Sequence, residues 1–338
     1  MSVERRPTVD DVAAHAGVSR QTVSNVMNTP AIVRPQTRER VELAIRELGY
    51  SPSMAARRLR TRRSETIGVH LDPYAGGISG VLLDRFIHSL TERATPRGLR
   101  IMVYAADDVA DEIERIRTLR EGGEIDRVVL TGTFDGDPRS EWMAEASIPF
   151  VAFGRPWGKV GVAVDGEDPS TRWVDVDGAA GTRAATTHGL SRGGRVLFLG
   201  WPAGSGTGDD RERGWREAMG AAAGDASLRL AAMDNVQEAR ALTERALDAG
   251  RVDAIVCASD TLAVGAHLAA SHAGRPDLEV VGFDNTPVAE ALGISSVEQR
   301  PEFVADAVLD LLVADPGQHT GSWHRLIEPE LVVRTRLT

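Results

Sequence analysis

From Thr8 to Leu59 the chain reads TVDDVAAHAGVSRQTVSNVMNTPAIVRPQTRERVELAIRELGYSPSMAARRL, and no other stretch restricts the possible folds so tightly. Thr8 followed by Asp11 has the spacing of a capping box, and Val9, Val12, Ala13 and Ala16 recur at the i, i+3, i+4, i+7 steps of an amphipathic helix. Gly17 stops it. Ser19 can cap a second short helix, whose inward positions Val23, Val26 and Met27 leave Arg20, Gln21, Ser24 and Asn25 facing outward. Two helices joined by so short a Gly-containing turn predict a helix-turn-helix. A third helix follows, with Pro35 in its first turn, Val41, Ala44, Ile45 and Leu48 on one face, and Gly49 as its stop.

The outward side chains have base-reading chemistry. An arginine forks onto guanine O6 and N7, and Gln or Asn pairs bidentately with adenine N6 and N7 in the major groove. Arg20, Gln21 and Asn25 occupy the start of the second helix and the turn after it, where such a helix meets base edges. A small helical bundle with a solvated polar face is the plainer alternative.

Charge sharpens the choice. The chain's formal net charge of -10 would argue against a nucleic-acid partner if it were evenly spread. It is not: residues 1–63 hold twelve arginines against six acidic residues, about +6, which leaves about -16 for the remainder. Arg57, Arg58, Arg60, Arg62 and Arg63 crowd the end of this basic arm, where they either neutralise phosphates or form a solvated linker. Cys257 is the single cysteine, so no internal disulfide is possible, and the reducing cytoplasm is the expected setting. The N-terminus carries no apolar signal region and no stretch reaches membrane-spanning length, so no membrane partner is expected.

From Thr66 the pattern changes to short apolar runs alternating with helical stretches, the mark of a parallel sheet with crossover helices. IGVHL, LRIMVYA, DRVVLTG and PFVAFG read as strands of one doubly wound unit. An irregular acidic segment around Lys159 to Ser170 reads as a loop insertion. The alternation then restarts with WVDVD, RVLFLG, a weak strand near Leu228, DAIVCAS and EVVGFDN, giving a second unit. SSVEQ, a helix from Pro301 to about Val313, and closing strands LIEP and ELVVRTRL return to the two lobes. The predicted fold class is therefore α/β: a small all-α helix-turn-helix headpiece and a two-lobed doubly wound core. Its expected boundaries are 1–50 for the headpiece, 51–63 for a linker and 64–338 for the core. The N-lobe would take about 64–168 plus 298–318, and the C-lobe about 169–297 plus 319–338.

Open α/β sheets place ligands at the carboxyl ends of their strands. The residues there are Asp72 after IGVHL, Trp201 after RVLFL, Ser259 and Asp260 after AIVCA, and Asp284 after EVVGF, with Arg211 on the following helix and Tyr74 as a further cleft aromatic. Facing carboxylates and a guanidinium suit a neutral polyol, although the same arginine can hold a carboxylate or phosphate. Duller roles compete: Asp260 and Asp177 as helix caps, Trp215 as core packing, and Trp201 as either packing or a ring platform. GWPAGSGTGDD lacks the Gly-Lys-Ser/Thr of a phosphate loop and the G-x-G-x-x-G spacing. No nucleophile elbow or H-E-x-x-H is present, and Cys257 lies in an apolar strand. No enzymatic activity, metal or cofactor is expected.

The head resembles the lactose-repressor (LacI/GalR) family of bacterial transcription regulators. Val9, Asp11, Val12, Ala13, Ala16, Gly17, Val18, Ser19, Thr22, Val23, Ser24, Val26, Asn28, Thr37, Arg38, Val41, Ile45, Leu48, Gly49, Tyr50, Pro52, Ala56, Arg57 and Leu59 carry the likeness. The resemblance implies that Arg20, Gln21 and Asn25 read bases, and that Ser19, Thr22, Ser24, Tyr50 and Ala56 belong to the DNA-binding set. It also implies a hinge helix from Ser51 whose Leu59 wedges into the minor groove, where unstacking a base step bends the duplex onto more protein. One departure is that the third helix, usually capped by Ser, begins Arg34-Pro35. The body in turn is similar to the family's effector core and to periplasmic sugar-binding proteins. There Arg211, three residues before Gly214-Trp215, and Asp284 hold the effector, and the position of Ser259 can contribute.

The expected function is a ligand-responsive, sequence-specific DNA-binding regulator: a repressor of carbohydrate-utilisation genes released or modulated by a small sugar-like effector. Its partners would be double-stranded operator DNA, that effector, and a second copy in a homodimer or a tetramer. Activator action stays open. A cytoplasmic solute-binding or sugar-metabolising protein with a non-DNA-binding head is the competing class, and it has no need of Arg20, Gln21 and Asn25 on one helix face.

Overall fold

The computed structural model describes residues 7–50, 64–71, 80–157 and 171–334. The chain divides into two units, Met1–Ser64 and Glu65–Thr338.

The first unit is three helices, α1 (Val9–Ala16), α2 (Arg20–Asn28) and α3 (Pro35–Leu48). Thr8 closes the start of α1 with a reciprocal capping box: its hydroxyl accepts from the Asp11 amide, and its own amide donates to Asp11 Oδ2 at 2.8 Å. Gly17 ends α1 at φ 63°, a left-handed conformation that costs glycine nothing and most residues about 1 kcal/mol. That sharp exit turns α2 across α1. Val12, Ala13, Ala16, Val23, Val26, Val41 and Ala44 fill the small core, with Met27, Ile45, Leu48 and Tyr50 packed against it. Arg34 precedes α3 without a side-chain cap, and Pro35, which has no N–H to satisfy, takes the first helical position.

The second unit is built on two six-stranded sheets. The strands are β1 (Thr66–His70), β2 (Arg100–Tyr104), β3 (Arg127–Leu130), β4 (Phe150–Phe153), β5 (Trp173–Val176), β6 (Val196–Gly200), β7 (Arg229–Ala231), β8 (Ala254–Cys257), β9 (Glu279–Phe283), β10 (Ser295–Glu298), β11 (His324–Ile327) and β12 (Glu330–Val332). One sheet runs β2-β1-β3-β4-β5-β11, all parallel; the other runs β7-β6-β8-β9-β10-β12, parallel except for antiparallel β12. Continuous apolar strands such as VVL and AIVC follow from helices covering both faces. In the first sheet, Val129 and Val151 pack with the helices Gly80–Ala94 and Pro301–Val313, while Val128, Leu130, Phe150 and Ala152 meet Ile116 and Met143 on the opposite side.

Two assignments differ from the sequence expectation. WVDVD was expected to open the second lobe, yet β5 pairs with β4 and β11 in the first sheet. LIEP was expected in the C-lobe, whereas β11 lies beside β5 and only β12 joins the second sheet. A strand's partner is set by long-range hydrogen bonding, which local periodicity does not encode. The chain therefore passes between lobes three times: after β5, after β10, and between β11 and β12. The loop expected around Lys159 to Ser170 lies outside the described residues.

Candidate functional site

In the head, α2 presents its polar side to solvent because Val23 and Val26 are held in the core. Ser19 is the N-cap, its hydroxyl accepting from the Thr22 amide at 3.1 Å and lying 2.9 Å from the Thr22 hydroxyl. Arg20 and Gln21 are exposed and Ser24 and Asn25 half-buried. Arg20 stands 3.8 Å from Asp10, but both side chains are about two-thirds exposed and so weakly bound. Gln21 Nε2 donates to Asn25 Oδ1 at 3.0 Å, which aligns the two amides one helical turn apart. Tyr50 is packed on the head core with its amide bonded to the Ile45 carbonyl. Ala56 and Leu59 lie outside the described residues.

In the second unit, two helices and four strand ends converge on one narrow cleft, lined by Arg155, Trp157, Asp175, Arg211, Phe283 and Gln299 among others. Arg211 belongs to the helix Thr207–Met219 and Asp284 follows β9. Their side chains are more than nine-tenths buried, with Arg211 Nη1 3.6 Å from Asp284 Oδ1. Arg211 lies over the Phe283 ring at 3.7 Å and faces Trp201 at 5.3 Å, while its Nη1 also donates to the Ala258 carbonyl. Its buried Nε has no hydrogen-bond partner among the described residues. A donor hidden without an acceptor is costly.

Asp284 adopts φ 107°, a conformation rare outside glycine, so its turn stores strain at the site. Burial pushes its carboxyl up to about 7 against the pull of Arg211. Burial likewise lowers the pKa of Arg211 in spite of Asp284. Desolvation outweighs attraction for both partners, as expected of a buried pair. Gln299 Nε2 donates to Asp284 Oδ1 at 2.6 Å.

Gln299 was missed by sequence reasoning, although it sits next to Arg300 at the end of β10. Arg300 instead turns at φ 55° and lies on Phe303. Ser259 is fully buried, caps the helix Asp260–His272 and donates to Asp234, which also accepts from Trp201 Nε1 at 3.2 Å. Ser259 and Trp201 thus share a carboxylate bordering Arg211. Asp260, expected as a helix cap, is not one. It accepts from the Thr286 amide and hydroxyl and from the Ser296 hydroxyl, tying the Asp284 turn to β10. Asp177 does cap the helix Gly178–Leu190, and Trp215 is core, its Nε1 bonded to the Val196 carbonyl. In the Gly-rich loop, the Gly204 and Gly206 amides are occupied by Asp209, which leaves them unavailable to cradle a phosphate. Asp72 and Tyr74 lie outside the described residues.

Residues 8–53 match the family of bacterial regulatory proteins named for lacI, and residues 186–335 match a periplasmic binding protein-like domain. Over 99% of its length the chain is 34% identical to the HTH-type transcriptional regulator CelR of Thermobifida fusca, across 99% of that protein. The chain belongs to the lacI family of bacterial regulatory proteins. A solved CelR–cellobiose complex resembles this lacI-family chain at 30% identity and TM-score 0.66, covering 97% of it and 99% of the complex's chain. The lac repressor dimer bound to operator shares the fold, with TM-score 0.76 at 23% identity and 98% coverage of both chains. The lacI-family chain is a helix-turn-helix transcriptional regulator with an effector-binding core. Among its described residues no helix is long and apolar enough to cross a membrane.

Proposed function

We propose that this regulator is a repressor of carbohydrate-utilisation genes in the cytoplasm, and that a small sugar in the Arg211–Asp284 cleft modulates its hold on operator DNA. The observation that carries the effector half is the buried Arg211 Nε without a hydrogen-bond partner among the described residues, beside the Asp284 carboxyl that Gln299 already orients. Arg211 donates to a ligand hydroxyl or ring oxygen, Asp284 and Gln299 pair with neighbouring hydroxyls, and Trp201 covers an apolar sugar face. The cellobiose complex of CelR makes cellobiose the first sugar to test.

Arg20, Gln21 and Asn25 read base edges from α2, with Ser19, Thr22 and Ser24 toward the backbone and Tyr50 supporting the helix. Two copies place two heads on half-sites of a pseudo-palindrome, in a homodimer or a tetramer. In this reading Ala56 and Leu59 contact the operator, and Asp72 and Tyr74 contact the effector. The work is done by binding, with no catalytic step.

Fluorescence anisotropy of a labelled fragment from the DNA flanking the protein's own gene tests this. Added cellobiose should raise the operator dissociation constant at least tenfold, and Arg211→Leu should abolish the response while leaving sugar-free DNA binding within twofold. Failure of cellobiose, monosaccharides and oligosaccharides alike to bind or to move the complex would reject a sugar effector.

A further inference from the structure

Two first-lobe arginines cross to the second lobe. Arg85, on the helix Gly80–Ala94, donates through Nη2 to Glu298 at 2.9 Å and through Nη1 to the Asp284 carbonyl at 3.4 Å. Glu298, the last residue of β10, also accepts from Asn285 Nδ2 at 2.8 Å and the Arg300 amide at 2.9 Å. Arg155, in the loop after β4, donates through Nε to Asp175 on β5 at 2.8 Å and through Nη2 to Asp210 at 2.7 Å. Asp210 Oδ2 also accepts from the Ala179 amide at 3.2 Å, just beyond the β5 crossover.

In each case the second-lobe carboxylate adjoins a cleft residue in sequence: Glu298 precedes Gln299, and Asp210 precedes Arg211. Each pair also stands beside a passage of the chain between lobes, β10 into the helix Pro301–Val313 and β5 into the helix Gly178–Leu190. The Arg155–Asp210 pair is largely buried, with side chains 17% and 5% exposed, so removing one partner leaves an uncompensated buried charge and costs far more than at a surface pair. Burial works against the charge on Arg155, yet Asp175 and Asp210 together hold its pKa above the ordinary arginine range.

We infer that Arg85 and Arg155 are positioning residues that gear the ligand anchors to the first lobe, so that a ligand pulling on Gln299 or Arg211 changes the angle between the lobes through Glu298 and Asp210. A ligand shifts such an equilibrium only by its differential affinity for the two arrangements, and rigid pairs next to the anchors are how that difference is transmitted. The inference rests on the reading above that the cleft takes an effector.

The test uses the full chain with Arg85→Ala, Arg155→Ala and the conservative Arg85→Lys. Hydrogen exchange is followed without sugar at 175–179 and 297–301, and operator affinity is measured with and without cellobiose. Expected are at least tenfold faster exchange at the crossover nearest each alanine, and a cellobiose effect on operator affinity reduced at least fivefold, with Arg85→Lys restoring both. Arg85 is about a third exposed, so Arg85→Ala carries the test alone if Arg155→Ala does not fold. Wild-type exchange in the alanine variants would overturn the gearing, and so would faster exchange with an undiminished cellobiose effect. A wild-type chain deaf to every sugar fails the effector reading instead; unchanged exchange would then overturn the gearing and accelerated exchange would support it.

Discussion

Arg211 and Asp284 face each other at 3.6 Å, and burial pushes both members of the pair toward neutrality, lowering the pKa of the guanidinium and raising that of the carboxyl. An unstrained aspartate ionises near about 3.9, whereas Asp284 keeps its proton to about 7. Below about pH 4 folded and unfolded chains both hold the proton. Between there and 7 the unfolded chain has lost a proton that the fold retains, so stability falls as pH rises; above 7 the loss is constant. Asp284→Asn cannot ionise. The stability of wild type relative to this variant should therefore decline by up to about 1.4 kcal/mol per pH unit across that window, as read from urea unfolding at successive pH values. Parallel curves would mean that Asp284 is already ionised at the acid end.

Gln21 and Asn25 hold each other's amides in register on the exposed side of α2. Gln21→Ala should relax base preference at one operator position at a cost of about 1 to 3 kcal/mol, with little change elsewhere in the site. Binding-site selection with randomised operators measures this, and an unchanged preference would show that another part of α2 faces the bases.

Gly214 is fixed by a close approach between helices. A Cβ there would lie 2.1 Å from the Ala179 carbonyl oxygen, backbone that has no room to yield. Gly214→Ala should force the helices Thr207–Met219 and Gly178–Leu190 apart, destabilising the core by about 2 kcal/mol or more and displacing Arg211 with it. Urea unfolding reports the first effect and loss of sugar affinity the second.

The Thr8 hydroxyl accepts from the Asp11 amide, one of the first amides of α1 without a helical partner. Thr8→Ala should cost about 1 kcal/mol, read as roughly fivefold faster amide exchange within Val9–Ala16 and no change in the core.

The head was legible because each of its devices is local: Thr8 with Asp11, Gly17, Ser19 and Gly49 act within a few residues of where they stand. The core's strands were legible for the same reason, but their partners were not. β5 precedes a second-lobe helix by one residue and still belongs to the first sheet, since nothing in WVDVD specifies the neighbouring strand. Arg211, Asp284, Trp201 and Ser259 stand at strand ends or helix starts, where α/β folds gather polar groups. Gln299 escaped notice because its value comes from Asp284, fifteen residues upstream, and because the left-handed turn at Arg300 decides which of two adjacent polar residues points inward. A polar residue ending a strand just before a Pro-initiated helix is the signal that was available. Asp260 escaped in the opposite way: its position suggested a cap, while its three partners came from Thr286 and Ser296, remote in sequence.

The threefold passage of the backbone between the sheets has a practical result for anyone wishing to dissect this molecule. Neither lobe is one uninterrupted length of polypeptide, so no truncation can yield an intact half, and a protease nick in a surface loop should leave fragments that remain laced together. Exchanging ligand preference between relatives by domain grafting would need several coordinated splices, whereas the headpiece, contributed by a single stretch at one end, can be exchanged with one.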